Sequence, residues 1–521
     1  MPTYLSPGVY VEEVEAGTRP IEGVGTAVAA FVGLAERGPV NEPTLVSNWT
    51  QFTEKFGEFV EGSYLAHSVY GYFLNGGGNC FVVRIGGNGS SSNGSSNGRP
   101  QPKELAAPPS AQLGGYRVEA IGKGAGQKQI FVEVGEPGGD DAGDDEFKIV
   151  VRVDGKAAET YDRVTTKKGD NNVATKVNTA SKLIKIEETT SGSGLAKPDY
   201  GSVELAAPPP EPEAPSTEEL GAENYVGDAS ERTGVSGLEA VDEVTMVAAP
   251  DLMAAYEQGA IDLETVQAVQ LAMIAHCELM GDRVAILDPP PNLSPQQVKD
   301  WRVNEAGYDS KFATLYYPWA KVFDPATGTN KFVPPSGYMA GVWARSDDTR
   351  GVHKAPANEV VRGAISLQTQ LTKAEHDLLN PVGINCIRSF PGRGVRVWGA
   401  RTLSSDAEWR YLNVRRLFNY LEESILLGTQ WVVFEPNDPA LWARIRRTIS
   451  SFLINEWRKG ALFGLTADEA FFVKCDAETN PAEGIDAGQV VCQIGVAPVK
   501  PAEFVIFQLS QYSGGTSLVN E

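Results

Sequence analysis

Histidine is scarce in this chain: four in 521 residues, at His67, His276, His353 and His376. His353, in the polar loop Arg350–Pro356, has no neighbouring cysteine or second histidine. HExxH, GxSxG and any Cys–His pairing are also missing, which removes the common zinc-protease, serine-hydrolase and thiol-protease readings. Cysteine is almost as sparse. Cys80, Cys277, Cys386, Cys475 and Cys492 lie far apart without CxxC spacing, so neither a disulfide scaffold nor a zinc site is expected. No apolar run approaches the length needed to cross a bilayer, so no membrane insertion is expected. Basic charge is short as well. Lys and Arg number 45 against 67 Asp and Glu, a net charge of −22, which excludes nucleic acid as a general partner because a phosphate-binding surface needs a basic footprint. The opening MPTYLSPGVYVEEVEAG lacks the basic and apolar regions of a secretory leader, and cytoplasmic synthesis and assembly are expected. A P-loop is absent, and Gly122–Gly126 has GxGxG spacing without a following helix, so it reads as a turn. No cofactor, metal or catalytic residue is expected.

What is present is a chain with 42% hydrophobic and 21% charged residues, enough for two to four domains with real cores. Two low-complexity stretches divide it. Gly86–Pro102 is a flexible Gly/Ser/Asn linker, and Leu205–Leu220 is a stiffer Pro/Glu-rich one. The same hexapeptide, ELAAPP, occurs at Glu104–Pro109 and Glu204–Pro209, as paired stems of one inserted domain would. Between them, Tyr116–Ala120, Gln129–Val134, Phe147–Val153 and Leu183–Ile186 alternate apolar and polar residues and predict a small β domain over 86–239. Residues 88–240 hold 25 Asp and Glu against 16 Lys and Arg. That acidity predicts an outward-facing module.

On either side, residues 26–85 and 240–380 read as one discontinuous α/β domain. Strands are expected at Thr26–Gly33, Cys80–Ile85, Val244–Ala249, Arg283–Leu287 and Phe312–Tyr317. Helices are expected at Asn48–Phe56, Leu65–Leu74 and Asp262–Met280, with a further one capped by Ser294. Alternation of this kind implies a mostly parallel sheet covered by helices.

From 381 to 510 the pattern turns to α+β. Gly383–Phe390 and Val395–Gly399 form a hairpin around a Gly-rich turn. Ser405-Asp-Ala-Glu408 reads as a capping box opening a helix with Val414, Phe418, Leu421 and Ile425 on its apolar face. Gln430–Phe434 reads as a short strand. Asp438-Pro439 starts a second helix that buries Leu441, Ile445, Ile449 and Phe452. Three strands follow, at Phe471–Cys475, Gln489–Val496 and Glu503–Gln511, and residues 511–521 form a tail. The last strand is apolar on both sides, with Val505, Phe507 and Leu509 on one and Phe504 and Ile506 on the other, so it has to be covered or paired.

Three further segments carry a resemblance. Gly337–Pro356 reads GYMAGVWARSDDTRGVHKAP, Val397–Leu403 reads VWGARTL, and Tyr4–Val11 reads YLSPGVYV. The crowding of small and charged residues in the first two reads as packing against other chains. Taken in chain order, the segments resemble the contractile tail sheath family of phage tails and phage-like injection systems, over about 1–85 and 240–521. The resemblance implies a structural protein, not an enzyme, with itself as the main partner. Subunits would form a helical polymer of stacked hexameric rings around an inner tube protein, bounded by baseplate and cap proteins. It further implies that N- and C-terminal arms are exchanged between subunits. That puts Tyr4, Val9, Tyr10 and Val11 of the arm 1–25, and Phe504, Val505, Ile506, Phe507 and Leu509, in exchange strands.

The resemblance also implies a C-terminal helix against the tube. Arg444, Arg447, Ser451, Asn455 and Arg458 recur at steps of three or four and make one polar stripe. Arg444, Arg447 and Arg458 are therefore candidate tube contacts, with Arg410, Arg415 and Arg416 of the preceding helix as rivals. Asp347 and Asp348, beside Arg345 and Arg350, read as an ion-pair network. Two other readings stay open: a cofactor-binding enzyme with a Rossmann-like core, and a static shell or fibre protein.

Overall fold

The computed structural model describes residues 20–86, 220–509 and, with short gaps, 110–205. Its contacts divide the chain into two compact units, 1–87 with 214–521, and 88–213.

The large unit is built on an eight-stranded mixed sheet. From one edge to the other its strands are Gly394–Val397, Ile384–Phe390, Ala313–Tyr317, Val284–Leu287, Met246–Ala248, Ala29–Gly33, Cys80–Arg84 and Thr44–Val46. The five inner pairings are parallel, and the pairing at each edge is antiparallel. Ala29–Gly33 and Cys80–Arg84, which precede the insertion, lie beside Met246–Ala248, which follows it. The inner strands are near-continuous apolar runs because helices cover both faces. The hairpin strands Ile384–Phe390 and Gly394–Val397 belong to this sheet, although their sequence position placed them in the C-terminal domain. Residues 220–240, expected in the insertion, also join this unit: Leu220, Tyr225, Val235 and Leu238 are part of its core.

Local signals start most helices where expected. Asn48, Asp262 and Ser294 each accept a hydrogen bond from a backbone N–H three residues on. Two other helix starts are held from a distance. The Asp251 carboxylate accepts from the backbone N–H of Leu34, Tyr64 and Leu65 and from the Ser63 hydroxyl, which fixes the start of the helix Leu65–Asn75. Asp288 does the same for the helix Ser336–Arg350, accepting from Ser336 N–H at 2.9 Å and from its hydroxyl at 2.6 Å.

The helix Ser336–Arg350 carries most of the GYMAGVWARSDDTR run, and its small residues pack within this chain. A Cβ on Gly337 would come within 2.4 Å of Ser68 Cα, and one on Gly341 within 2.4 Å of the Tyr72 carbonyl. The expected packing against other chains is therefore corrected: these glycines let this helix cross Leu65–Asn75 at close range.

The cysteines are all free thiols, and burial pushes each of them up. His67 and His276 sit in helices inside the core, and burial holds each down at about 4, reinforced by Lys331 and Arg283 respectively.

The second unit has its own core. One antiparallel sheet runs Gly201–Glu204, Ile130–Gly135, Glu146–Val153, Lys156–Thr165, and another runs Ser110–Leu113, Tyr116–Ala120, Ile184–Glu188. Val118, Val132, Ile149, Val151 and Ile186 are among the buried residues between them. The helix Val173–Ala180, capped by Asn172, was not expected. Gly122–Gly126 lies outside the described residues.

Candidate assembly site

The C-terminal half brings two long helices against a fragment of sheet. The first helix, Leu412–Gly428, opens from Tyr411 rather than from the expected capping box. Ser405 is taken by another partner: its N–H and hydroxyl both donate to Asp309, at 2.8 and 2.6 Å. The expected strand Gln430–Phe434 is a single 3-10 turn, Gln430–Val432, with Val433 and Phe434 in solvent. The second helix, Pro439–Arg458, starts as its sequence dictates, with Asp438 accepting from Leu441 N–H at 2.7 Å. Leu441, Ile445, Ile449 and Phe452 pack with Leu417 and Leu421 of the first helix.

On the outer face of the second helix, Arg447, Ser451, Asn455 and Arg458 are exposed and Arg444 is half-buried. Arg444 donates to Glu435 at 2.7 Å and lies 5.1 Å over the Trp431 ring. Neither Arg447 nor Arg458 forms an ion pair among the described residues.

The rival arginines of the first helix point the other way. Arg415 and Arg416 are only 2% and 4% exposed. Arg415 lies between the Phe312 and Trp409 rings, at 4.6 and 4.5 Å. Arg416 donates to both Asp347 oxygens, at 2.9 and 2.5 Å, and to the Thr26 carbonyl at 2.9 Å, while the Thr26 hydroxyl also donates to Asp347. Asp347 therefore pairs with Arg416, not with its neighbours Arg345 and Arg350. Only Arg410 of the rivals is exposed, and it precedes the helix.

The base of the N-terminal segment is seated on this same helix. Val24 N–H donates to Ser424 at 3.1 Å, and Ile21 packs closely on Gly428. Tyr4, Val9, Tyr10 and Val11 lie outside the described residues.

The sheet fragment has two antiparallel strands, Phe471–Lys474 and Gln493–Val496, registered Phe471 to Val496 and Lys474 to Gln493. The Phe472 ring lies across Gly495, where a Cβ would push it aside. No third strand pairs with either outer edge among the described residues. Beside it, Phe418, Leu421, Ile425, Leu453, Ile494 and Val496 line an apolar groove between the helices and the second strand.

The residues expected to form the last strand are not paired. Phe504, Val505, Ile506, Phe507 and Leu509 run without ladder bonds and are 68–97% exposed. Five large apolar side chains thus stand in water, in a chain whose two-stranded sheet has both outer edges unpaired among the described residues. Among the described residues, no group of three or more His, Cys, Asp or Glu side chains is placed to hold a metal ion.

Residues 230–403 match the family described as phage tail sheath protein central domain, and 404–511 match that described as phage tail sheath C-terminal domain. A tail sheath protein of Vibrio phage KVP40 is 26% identical over 388 residues, taking in 69% of this chain and 54% of that protein, so the chain spans about half of that relative's length. A tail sheath protein of Burkholderia phage BcepMu is 25% identical over 524 residues, covering 96% of this chain and 95% of the relative. Among solved structures, the contracted PVC sheath complex of an extracellular contractile injection system aligns at TM-score 0.58 and 24% identity, over 98% of this chain and 99% of that one. The contracted helical sheath of the anti-feeding prophage aligns at 0.56 and 24%, over 98% and 100%. The likeness to these two structures is one of fold. With two consecutive sheath domains matched in order across 230–511, the chain belongs to the phage tail sheath family.

Proposed function

We propose that this chain polymerises helically, in stacked hexameric rings, around an inner tube and contracts to drive that tube through a target envelope, as part of a phage tail or a phage-like injection particle. The family is one of structural proteins, not enzymes. The observation that carries the reading is the exposed apolar run Phe504–Leu509, together with a two-stranded C-terminal sheet whose outer edges are unpaired among the described residues. Such a run invites pairing or aggregation unless it is covered. A strand from a neighbouring subunit added to the open edge would bury it and satisfy its backbone at once. Exchange of the N-terminal arm, with Tyr4, Val9, Tyr10 and Val11, would occupy the remaining edge. The structural neighbours are themselves captured in a helical sheath and in baseplate assemblies, which favours the same kind of polymer and a baseplate partner here.

Head-to-tail contacts of this type are heterologous and build open filaments. Contraction does work only when the contracted contacts lie lower in free energy than the extended ones, so the extended polymer has to be held by a kinetic barrier until it is triggered. The exchanged strands act as tethers while rigid domains turn. Arg447 and Arg458, with Arg444, are the proposed tube contacts, because the structure leaves them on an open face while Arg415 and Arg416 are buried. Electron microscopy of the purified protein tests the proposal. Hollow helical tubes are expected; discrete small oligomers would favour a soluble enzyme, and flat sheets a static shell.

A further inference from the structure

The exposed arm does not simply trail from the C-terminal module. After Val499, whose carbonyl accepts from Asn413 at 3.0 Å, the chain crosses to the central sheet and stops at Glu503. There one carboxylate meets four donors. Oε1 accepts from Arg401 Nε at 2.9 Å and Asn380 Nδ2 at 2.8 Å, and Oε2 accepts from Arg401 Nη2 at 2.7 Å and the Tyr411 hydroxyl at 3.1 Å. A carboxylate has about four lone-pair directions, so its capacity is used completely. The Arg401 contact is the two-pronged guanidinium–carboxylate arrangement, the strongest side-chain pairing available.

Arg401 is itself fixed. Its backbone N–H donates to Asn385 at 2.7 Å, and its carbonyl accepts from Thr314 and Asn385, at 3.0 and 2.8 Å. Thr314 and Asn385 belong to neighbouring strands of the central sheet, so the clamp is part of the rigid core. One residue later the arm is in solvent, with Phe504 73% exposed. Burial alone would raise Glu503, yet the hydrogen bonds from Arg401 and Asn380 outweigh it and keep the carboxyl below its ordinary range.

We infer that Glu503 is the positioning residue of the C-terminal arm: its four-donor clamp on Arg401, Asn380 and Tyr411 fixes the point at which the exchanged strand leaves the subunit and ties that strand to the central sheet. The inference rests on the exchange reading above. A strand anchored at its root samples fewer directions and loses less entropy when a neighbour captures it. Rotation of the central domain would also pull directly on the neighbour's sheet.

The test uses the full chain in three forms: the parent, Glu503→Gln, and a deletion of 504–521. Spin labels at Val505→Cys and Leu378→Cys, with Cys492→Ser, report the arm–core distance in the unassembled subunit; sedimentation reports the concentration needed for polymerisation. The expected result for Glu503→Gln is a lower melting temperature with the native circular dichroism spectrum retained, since Arg401 loses its charged partner, at least a doubled width of the distance distribution, and at least a tenfold higher polymerisation threshold. An unchanged distribution or an unchanged threshold would overturn the inference, as would loss of the native spectrum, which would make Glu503 a general stability residue. Tubes formed by the 504–521 deletion would instead defeat the exchange reading itself, whatever the clamp does.

Discussion

Asp251 and Asp288 are carboxylates sealed in the central core, where burial raises them to about 6 and about 7 against the hydrogen bonds they accept. A carboxyl raised on folding stabilises most below its unfolded value and loses that contribution as pH climbs through its folded value. His67 and His276 act in the opposite sense. Held down at about 4, they stabilise above the ordinary histidine range and lose that contribution as pH falls towards 4. The two pairs offset each other in the parent between about pH 4 and 7. Asp288→Asn is expected to remove one carboxyl contribution, so that urea unfolding finds the variant gaining on the parent as pH rises from 4 to 8; parallel profiles would contradict this. Asp288→Ala, which leaves Ser336 N–H without its partner, is expected to cost about 1–3 kcal/mol at either end. These two caps were not legible in the sequence, whereas those of Asn48, Asp262, Ser294 and Asp438 were. The legible caps bond three residues away, while Asp288 reaches 48 residues and Asp251 about 187. No local pattern encodes such a partner.

At the scale of elements, the two C-terminal helices separate what periodicity can read from what it cannot. The heptad-like spacing of Leu441, Ile445, Ile449 and Phe452 was enough to orient the second helix and to put Arg447 and Arg458 outside. The same spacing said nothing of Arg415 and Arg416, which are buried because aromatic rings and Asp347 from distant segments receive them. Ser405 failed as a capping box for a similar reason, its groups having been captured by Asp309. Gln430–Phe434 has strand-forming residues but pairs with no strand among the described residues. Reversing the exposed Arg447 and Arg458 to Glu is expected to leave the fold intact, since exposed helix positions usually change stability by less than about 0.5 kcal/mol. Co-purification of the inner tube with the sheath should fall, more steeply at low salt than at high salt. Unchanged co-purification would make the stripe an ordinary solvated face.

For the whole molecule, the linkers that interrupt the chain are compositionally distinct, and the sheet order places Ala29–Gly33 and Cys80–Arg84, before the interruption, next to Met246–Ala248, after it. The core 88–213 is self-contained, so replacing 88–213 with a short Gly/Ser loop is expected to leave tubes intact, as loop closure costs rise only slowly with length. An insoluble or monomeric product would mean that the insertion belongs to the lattice. Glu503–Gln511 was expected as a strand apolar on both faces; residues 503–509 form no strand, and no strand among the described residues pairs with them. The central claim, that its partner is a neighbouring subunit, is tested most directly by Val505→Pro and Phe507→Pro, together with deletion of residues 1–14, followed by circular dichroism and sedimentation. Each lost backbone bond is worth only about 1 kcal/mol, but the loss recurs at every subunit junction. The account predicts folded monomers that form no tubes; full-length tubes from these variants would contradict it.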